Sequence, residues 1–206
     1  NFIDNTLFFA FKTTNNDGHK YIKELYNKGI RLFICEELQD LNQFPDAVFL
    51  LVKDSLEALQ KIAKYKRDNF HKEVVAITGS NGKTIVKEWI VQLAQENKKI
   101  CYSPRSYNSQ IGVALSLWQL NSNYDLGLFE AGISKPNEMT RLQEMIQPTI
   151  GIFTNIGSAH QINFSSLEEK IEEKLKLFSS CHTLICPEDD IFLYNIVKQW
   201  CKSREI

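Results

Sequence analysis

Val74-Val75-Ala76-Ile77-Thr78-Gly79-Ser80-Asn81-Gly82-Lys83-Thr84 runs a compact apolar strand into a glycine turn and then into the start of a helix. The helix is predicted over residues 83–97, with Val86, Trp89, Ile90, Leu93 and Ala94 at three- and four-residue spacing on one apolar face. Glycines let the backbone curl so that successive N–H groups point at one centre. A helix N-terminus adds unsatisfied donors and the positive end of its dipole. Lys83 supplies a point charge for terminal phosphates, and the Thr84 hydroxyl can hold Mg²⁺. A full Walker A pattern requires Gly at position 77, where Ile77 stands, so the loop is a shortened variant. Gly79, Ser80, Asn81, Gly82, Lys83 and Thr84 are therefore the candidate nucleotide-binding residues. The plainer alternative is a tight strand–helix turn with an exposed lysine.

Outward from this stretch, strand-length apolar runs alternate with amphipathic helical ones. Downstream, strands are predicted at 100–102, 126–130, 149–154 and 183–186, and helices at 111–120, 136–145, 167–179 and 191–202. Upstream lie strands at 7–11, 31–35 and 47–52 and a helix at 18–27. Another helix, capped by Asp54-Ser55 and running to about Asn69, carries Leu56, Leu59, Ile62 and Ala63 on one face. Its charged end, Lys64 to Asp68, reads as a solvated last turn, with a domain boundary at 70–73. Near-continuous apolar strands alternating with helices argue an α/β protein. The expected organisation is a small N-terminal α/β domain (1–72), then a P-loop-type parallel sheet with helices on both faces (73–206).

Composition narrows the partners. Twenty-four Lys and Arg balance 25 Asp and Glu across 206 residues, a net charge of −1. That gives no long-range field for nucleic acid or anionic lipid, so any anion site is local. The longest apolar run, Ala47 to Val52, is far short of the ~20 residues of a membrane span. Five cysteines without a C-x-x-C pair read as reduced, mostly buried thiols in a cytoplasmic protein. The chain begins at Asn1 rather than Met and has no signal-peptide pattern, which suggests a start inside a longer product.

Five further positions carry chemistry. Glu130 ends a predicted buried strand, where ligand sites on open parallel sheets lie; it can reach a Mg²⁺ or simply pair with a lysine. His160 follows another strand by a short loop, a place that suits a surface histidine as well as a ligand. Lys174 lies in Glu168-Glu169-Lys170-Ile171-Glu172-Glu173-Lys174-Leu175-Lys176, which by spacing alone is a solvated helix face with Glu172–Lys176 and Lys170–Glu173 pairs. Asn108 and Ser109 precede a helix and suit either substrate contacts or capping. Trp89, Trp118, Trp200, Phe129 and Phe178 are expected in the core.

Thr78-Gly79-Ser80-Asn81-Gly82-Lys83-Thr84 resembles the ATP loop of the Mur ligases, the ATP-dependent amide ligases of peptidoglycan assembly. Other segments are similar to the branch that adds D-alanyl-D-alanine to UDP-N-acetylmuramoyl tripeptide. They are Leu7–Phe11 with Asp17-Gly18-His19, Tyr107 to Val113, Leu128 to Gly132, and Thr154 to His160. Ser109 and Ala114 depart from that branch's usual Asn and Pro, and the Asp-Ser-Arg usual before the first strand is missing from Asn1 to Thr6.

The resemblance implies a substrate carboxylate activated by ATP as an acyl phosphate, then captured by the D-alanyl-D-alanine amine. It assigns catalytic roles to Lys83, Lys174 and His160, and substrate contacts to Asn108 and Ser109. Two Mg²⁺ ions would be held by Thr84, Glu130, His160 and Lys174, the last as a carbamate formed with CO₂. A third, C-terminal domain that closes over ATP is missing here, so little turnover is expected of these 206 residues alone. Some relatives are fused to an alanine racemase, which leaves room for a longer parent. A folylpolyglutamate synthase or sibling ligase on the same framework, and a non-catalytic nucleotide-binding module, remain the rival readings.

Overall fold

The computed structural model describes residues 6–157 and 163–204. Two compact units divide it, residues 1–61 and 62–206, with the border inside one helix.

In the first unit, β1 (Leu7–Phe9), β2 (Leu32–Cys35) and β3 (Val48–Leu51) form a parallel sheet in that order. Parallel pairing requires crossovers, and α1 (Ile22–Asn27) belongs to the first of them. Ala10, Ile22, Ile30, Phe33, Cys35 and Phe44 form the core, with Phe33 and Phe49 stacked at 4.9 Å. Asp17, Gly18 and His19 latch this unit together. Asp17 caps a short 3-10 turn by accepting the His19 N–H at 3.0 Å. A Cβ on Gly18 would lie 2.8 Å from the Phe11 nitrogen. His19 Nε2 accepts the Glu36 N–H at 2.9 Å, so Nδ1 carries the proton and donates to Asp17 at 2.7 Å. Glu36 in turn accepts the N–H of Ser55 at 2.7 Å, at the start of α2 (Ser55–Asp68). His19 is thus bonded on both ring nitrogens.

The second unit holds five parallel strands: β4 (Val74–Thr78), β5 (Ile100–Tyr102), β6 (Leu126–Glu130), β7 (Ile150–Phe153) and β8 (Thr183–Ile185), in the order β5-β6-β4-β7-β8. The helices are α3 (Lys83–Ala94), α4 (Gln110–Trp118), α5 (Glu138–Ile146), α6 (Leu167–Leu175) and α7 (Ile191–Lys202). Every residue of β4 is buried, as its apolar run requires of a central strand. Alternation sends Val75, Ile77 and Leu128 to one face, against Val86, Ile90 and Val91 of α3. The opposite face presents Phe153 to Phe178, just past α6. Both faces are therefore covered, the expected α/β arrangement.

Element boundaries follow the sequence pattern closely, but three side-chain expectations are corrected. Trp89 is 62% and Leu93 82% exposed, whereas Val91 is buried. The α3 stripe that meets the sheet is rotated toward Val86, Ile90 and Val91. Within the otherwise solvated last turn of α2, Arg67 is buried and donates to three carbonyls, those of Ile146, Phe70 and Gln147, each at 2.7 Å. The α6 face carrying Lys170, Glu173 and Lys174 is buried as well. Glu173 pairs with Lys176 rather than Lys170 and accepts the Met139 N–H at 3.2 Å. Among the described residues no helix is long and apolar enough to cross a membrane.

Candidate functional site

Parallel strands end at one edge, so the segments after β4, β6 and β7 converge there. Register places Ile77 beside Glu130, and Thr78 beside Phe153. The segment after β4 turns through Gly79 (φ +150°) and Gly82 (φ +80°), conformations L side chains rarely adopt. A Cβ on Gly79 would strike Thr154 Oγ1 and lie 3.0 Å from the Asn155 nitrogen.

The loop is braced from β7. Ser80 N–H donates to the Asn155 carbonyl at 3.0 Å, and Asn81 N–H to Asn155 Oδ1 at 2.8 Å. Thr154 Oγ1 donates to the Asn81 carbonyl at 2.6 Å. Gly157 N–H donates to Ser80 Oγ at 2.9 Å. Two of the six candidate loop N–H groups therefore serve to shape the turn. Gly82, Lys83 and Thr84, at the opening of α3, have backbone donors at the position where a helix lacks internal acceptors.

Two lysines converge on the loop. Lys83 Nζ donates to the Gly79 carbonyl at 2.8 Å, and Lys174 Nζ reaches the same oxygen at 3.3 Å. Lys170, one turn before Lys174, donates to the Gly157 carbonyl at 2.5 Å. Burial first, then the charges of Lys83 and Lys170, lower Lys174 to about 7. Burial also lowers Lys83, against the opposing pull of Glu130.

Glu130 is fully buried at the end of β6. Its Oε2 accepts from Thr84 Oγ1 at 3.0 Å, and Thr84 Oγ1 lies 3.3 Å from Ser106 Oγ. Glu130 Oε1 finds no hydrogen-bond donor among the described residues. Lys87 Nζ lies 3.1 Å from it and supplies charge, but without hydrogen-bond alignment. The donor set fits a hard divalent cation. Two oxygens 3.0 Å apart match neighbouring ligands on an octahedron with bonds of about 2.1 Å, the geometry Mg²⁺ demands.

Ser109 caps α4 by accepting the Gly112 N–H at 3.2 Å. Asn108 lies against Gly132, whose N–H donates to the Asn108 carbonyl at 2.8 Å, so it borders the β6 side of the same edge. His160 lies outside the described residues. Lys87 is a functional candidate visible only in the fold. A lysine one turn after Thr84 that is wholly buried had no signal beyond its three-residue spacing from that threonine.

The Mur ligase middle domain matches residues 77–205. The UDP-N-acetylmuramoyl-tripeptide–D-alanyl-D-alanine ligase of Borreliella burgdorferi is 32% identical over 98% of this chain and 44% of its own length. The ligase of the same name from Rickettsia prowazekii is 36% identical over 84% of this chain and 38% of its own. The crystal structure of MurF ligase from Thermotoga maritima in complex with ADP superposes with a TM-score of 0.82 at 28% identity. It covers 94% of this chain and 45% of that one. The chain thus spans less than half the length of the relatives it matches. With a family domain matched across the very strands and loops that build this edge, the chain belongs to the Mur ligase family.

Proposed function

We propose that this chain is the substrate- and nucleotide-binding portion of an ATP-dependent ligase that joins D-alanyl-D-alanine to UDP-N-acetylmuramoyl tripeptide in the cytoplasm. Residues 73–206 hold the nucleotide and residues 1–72 the UDP end of the substrate. The observation that carries this reading is the pairing of a braced glycine loop with Thr84 and the buried Glu130 at one sheet edge. Gly79 to Thr84 wrap the phosphates, and Lys83 leaves the Gly79 carbonyl to neutralise the terminal ones. Thr84 and Glu130 would hold Mg²⁺, which when bound would supply positive charge against the phosphates. Lys174, lowered to about 7 and so mostly neutral above that pH, would react with CO₂ to give a carbamate and a proton, and with His160 it would supply ligands for a second cation. Asn108 and Ser109 face the muramoyl substrate. The substrate carboxylate attacks the γ-phosphate, ADP leaves, and the dipeptide amine displaces phosphate from the acyl phosphate. Because the chain spans less than half the length of the relatives it matches, binding rather than turnover is the appropriate measurement.

Isothermal titration with ADP, with and without Mg²⁺, tests the nucleotide site. Mg²⁺-dependent binding that is lost in Glu130→Gln supports the reading. Binding indifferent to both Mg²⁺ and Glu130 would favour a non-catalytic nucleotide module. Titration with the UDP-muramoyl tripeptide against a folate then separates this ligase from a folate-directed relative.

A further inference from the structure

Lys87 has no exposed surface, yet its ammonium sits within the site edge. An ammonium has three N–H donors. One goes to the Ser103 carbonyl at 2.7 Å and one to the Arg105 carbonyl at 2.5 Å. Two carboxylate oxygens lie close to the same ammonium, one of Glu88 at 3.0 Å and Glu130 Oε1 at 3.1 Å, the latter without hydrogen-bond alignment. Arg105 is a non-glycine residue with φ +50°, so the carbonyl that Lys87 holds belongs to a strained turn. Ser103 Oγ also accepts the Glu130 N–H at 3.2 Å. The 103–106 loop and the Glu130 carboxylate are thus fastened to one buried cation. The two oxygens of Glu130 are not equivalent: Oε1 is sealed against Lys87, and Oε2 faces Thr84.

We propose that Lys87 is a specificity-determining positioning residue that makes Glu130 a one-oxygen ligand and so selects Mg²⁺ over Ca²⁺ at this site. The inference rests on the reading of Thr84 and Glu130 as cation ligands. Mg²⁺ needs compact octahedral coordination by single oxygens, whereas Ca²⁺ takes six to eight ligands and accepts bidentate carboxylates. Blocking Oε1 removes the bidentate mode and with it an advantage only the larger ion can use. Lys87 also repels any divalent cation, but equally for both. The ratio of the two affinities therefore isolates its steric role.

The test measures Mg²⁺ and Ca²⁺ half-saturation of ADP binding for the chain and its Lys87→Met and Lys87→Arg variants. Amide hydrogen exchange over residues 103–109 serves as a second readout. Lys87→Met should shift the ratio toward Ca²⁺ by about tenfold and speed exchange in the loop, and Lys87→Arg should restore part of each. A ratio within twofold of the parent in folded Lys87→Met overturns the proposal. Should Lys87→Met not fold, Lys87→Met/Glu130→Asp removes the blocking amine while shortening the carboxylate. A Ca²⁺ preference no greater than that of Glu130→Asp alone then overturns it. If the parent binds ADP without regard to either cation, the ligand reading itself fails, a result distinct from an unchanged ratio on a metal-dependent background.

Discussion

Replacing Lys174 with methionine should make this protein more stable at acid and neutral pH. The Lys174 amine is buried within reach of one carbonyl, and burial with the charges of Lys83 and Lys170 lowers it from 10.5 to about 7. At about 1.4 kcal/mol per pH unit, such a displacement costs the fold roughly 5 kcal/mol once the amine is protonated. Methionine of similar volume loses the long hydrogen bond to the Gly79 carbonyl, worth about 1 kcal/mol. The net gain for Lys174→Met is about 3–4 kcal/mol at pH 6. The sign follows from proton counting. Between pH 7 and 10.5 the unfolded chain holds a proton on this amine that the folded chain lacks, so the parent gains stability as pH rises. The variant has no such contribution, and its advantage should shrink through that window and vanish near pH 10. Urea denaturation in CO₂-depleted buffer at pH 6, 7, 8 and 9.5 measures the difference. A variant less stable than the parent at pH 6, or a gap that does not narrow with pH, would refute the reasoning. The same displacement leaves about nine in ten Lys174 amines neutral at pH 8, the form that reacts with CO₂.

Arg67→Met removes three charge-assisted bonds to carbonyls, two of them at the C-terminal end of α5, and should destabilise by about 3–4 kcal/mol. Equilibrium denaturation checks it, and a loss under about 1 kcal/mol would show that water replaces the guanidinium. Gly79→Ala places a Cβ against Thr154 and the Asn155 backbone at φ +150° and should cost about 3 kcal/mol. Thermal melting should fall by about 6–12 °C, and an unchanged midpoint would mean the loop relaxes freely.

Periodicity revealed nearly all of the elements, because buried parallel strands leave short uninterrupted apolar runs such as Val74–Thr78, and their length and the flanking glycine turn set them apart from helices. The glycine loop was equally legible, since Gly79 and Gly82 occupy conformations that demand glycine. What stayed hidden was side-chain environment. Lys64 to Asp68 and Lys170 to Lys176 look solvated because charge is common on helix surfaces. In the fold Arg67 and Lys170 are buried by donating to backbone carbonyls, partners that have no residue signature. Trp89 errs the other way: helical spacing allowed two adjacent stripes on α3, and only the packed sheet selects between them.

Asn155 grips Ser80 and Asn81 across some 75 positions of chain, and Lys174 meets Gly79 across 95. A site sewn together over such distances has no partial form. During synthesis the glycine turn leaves the ribosome well before the residues that brace it in the fold. If the loop holds a nucleotide as proposed, capture of ADP by a growing chain would mark the moment when the central sheet closes.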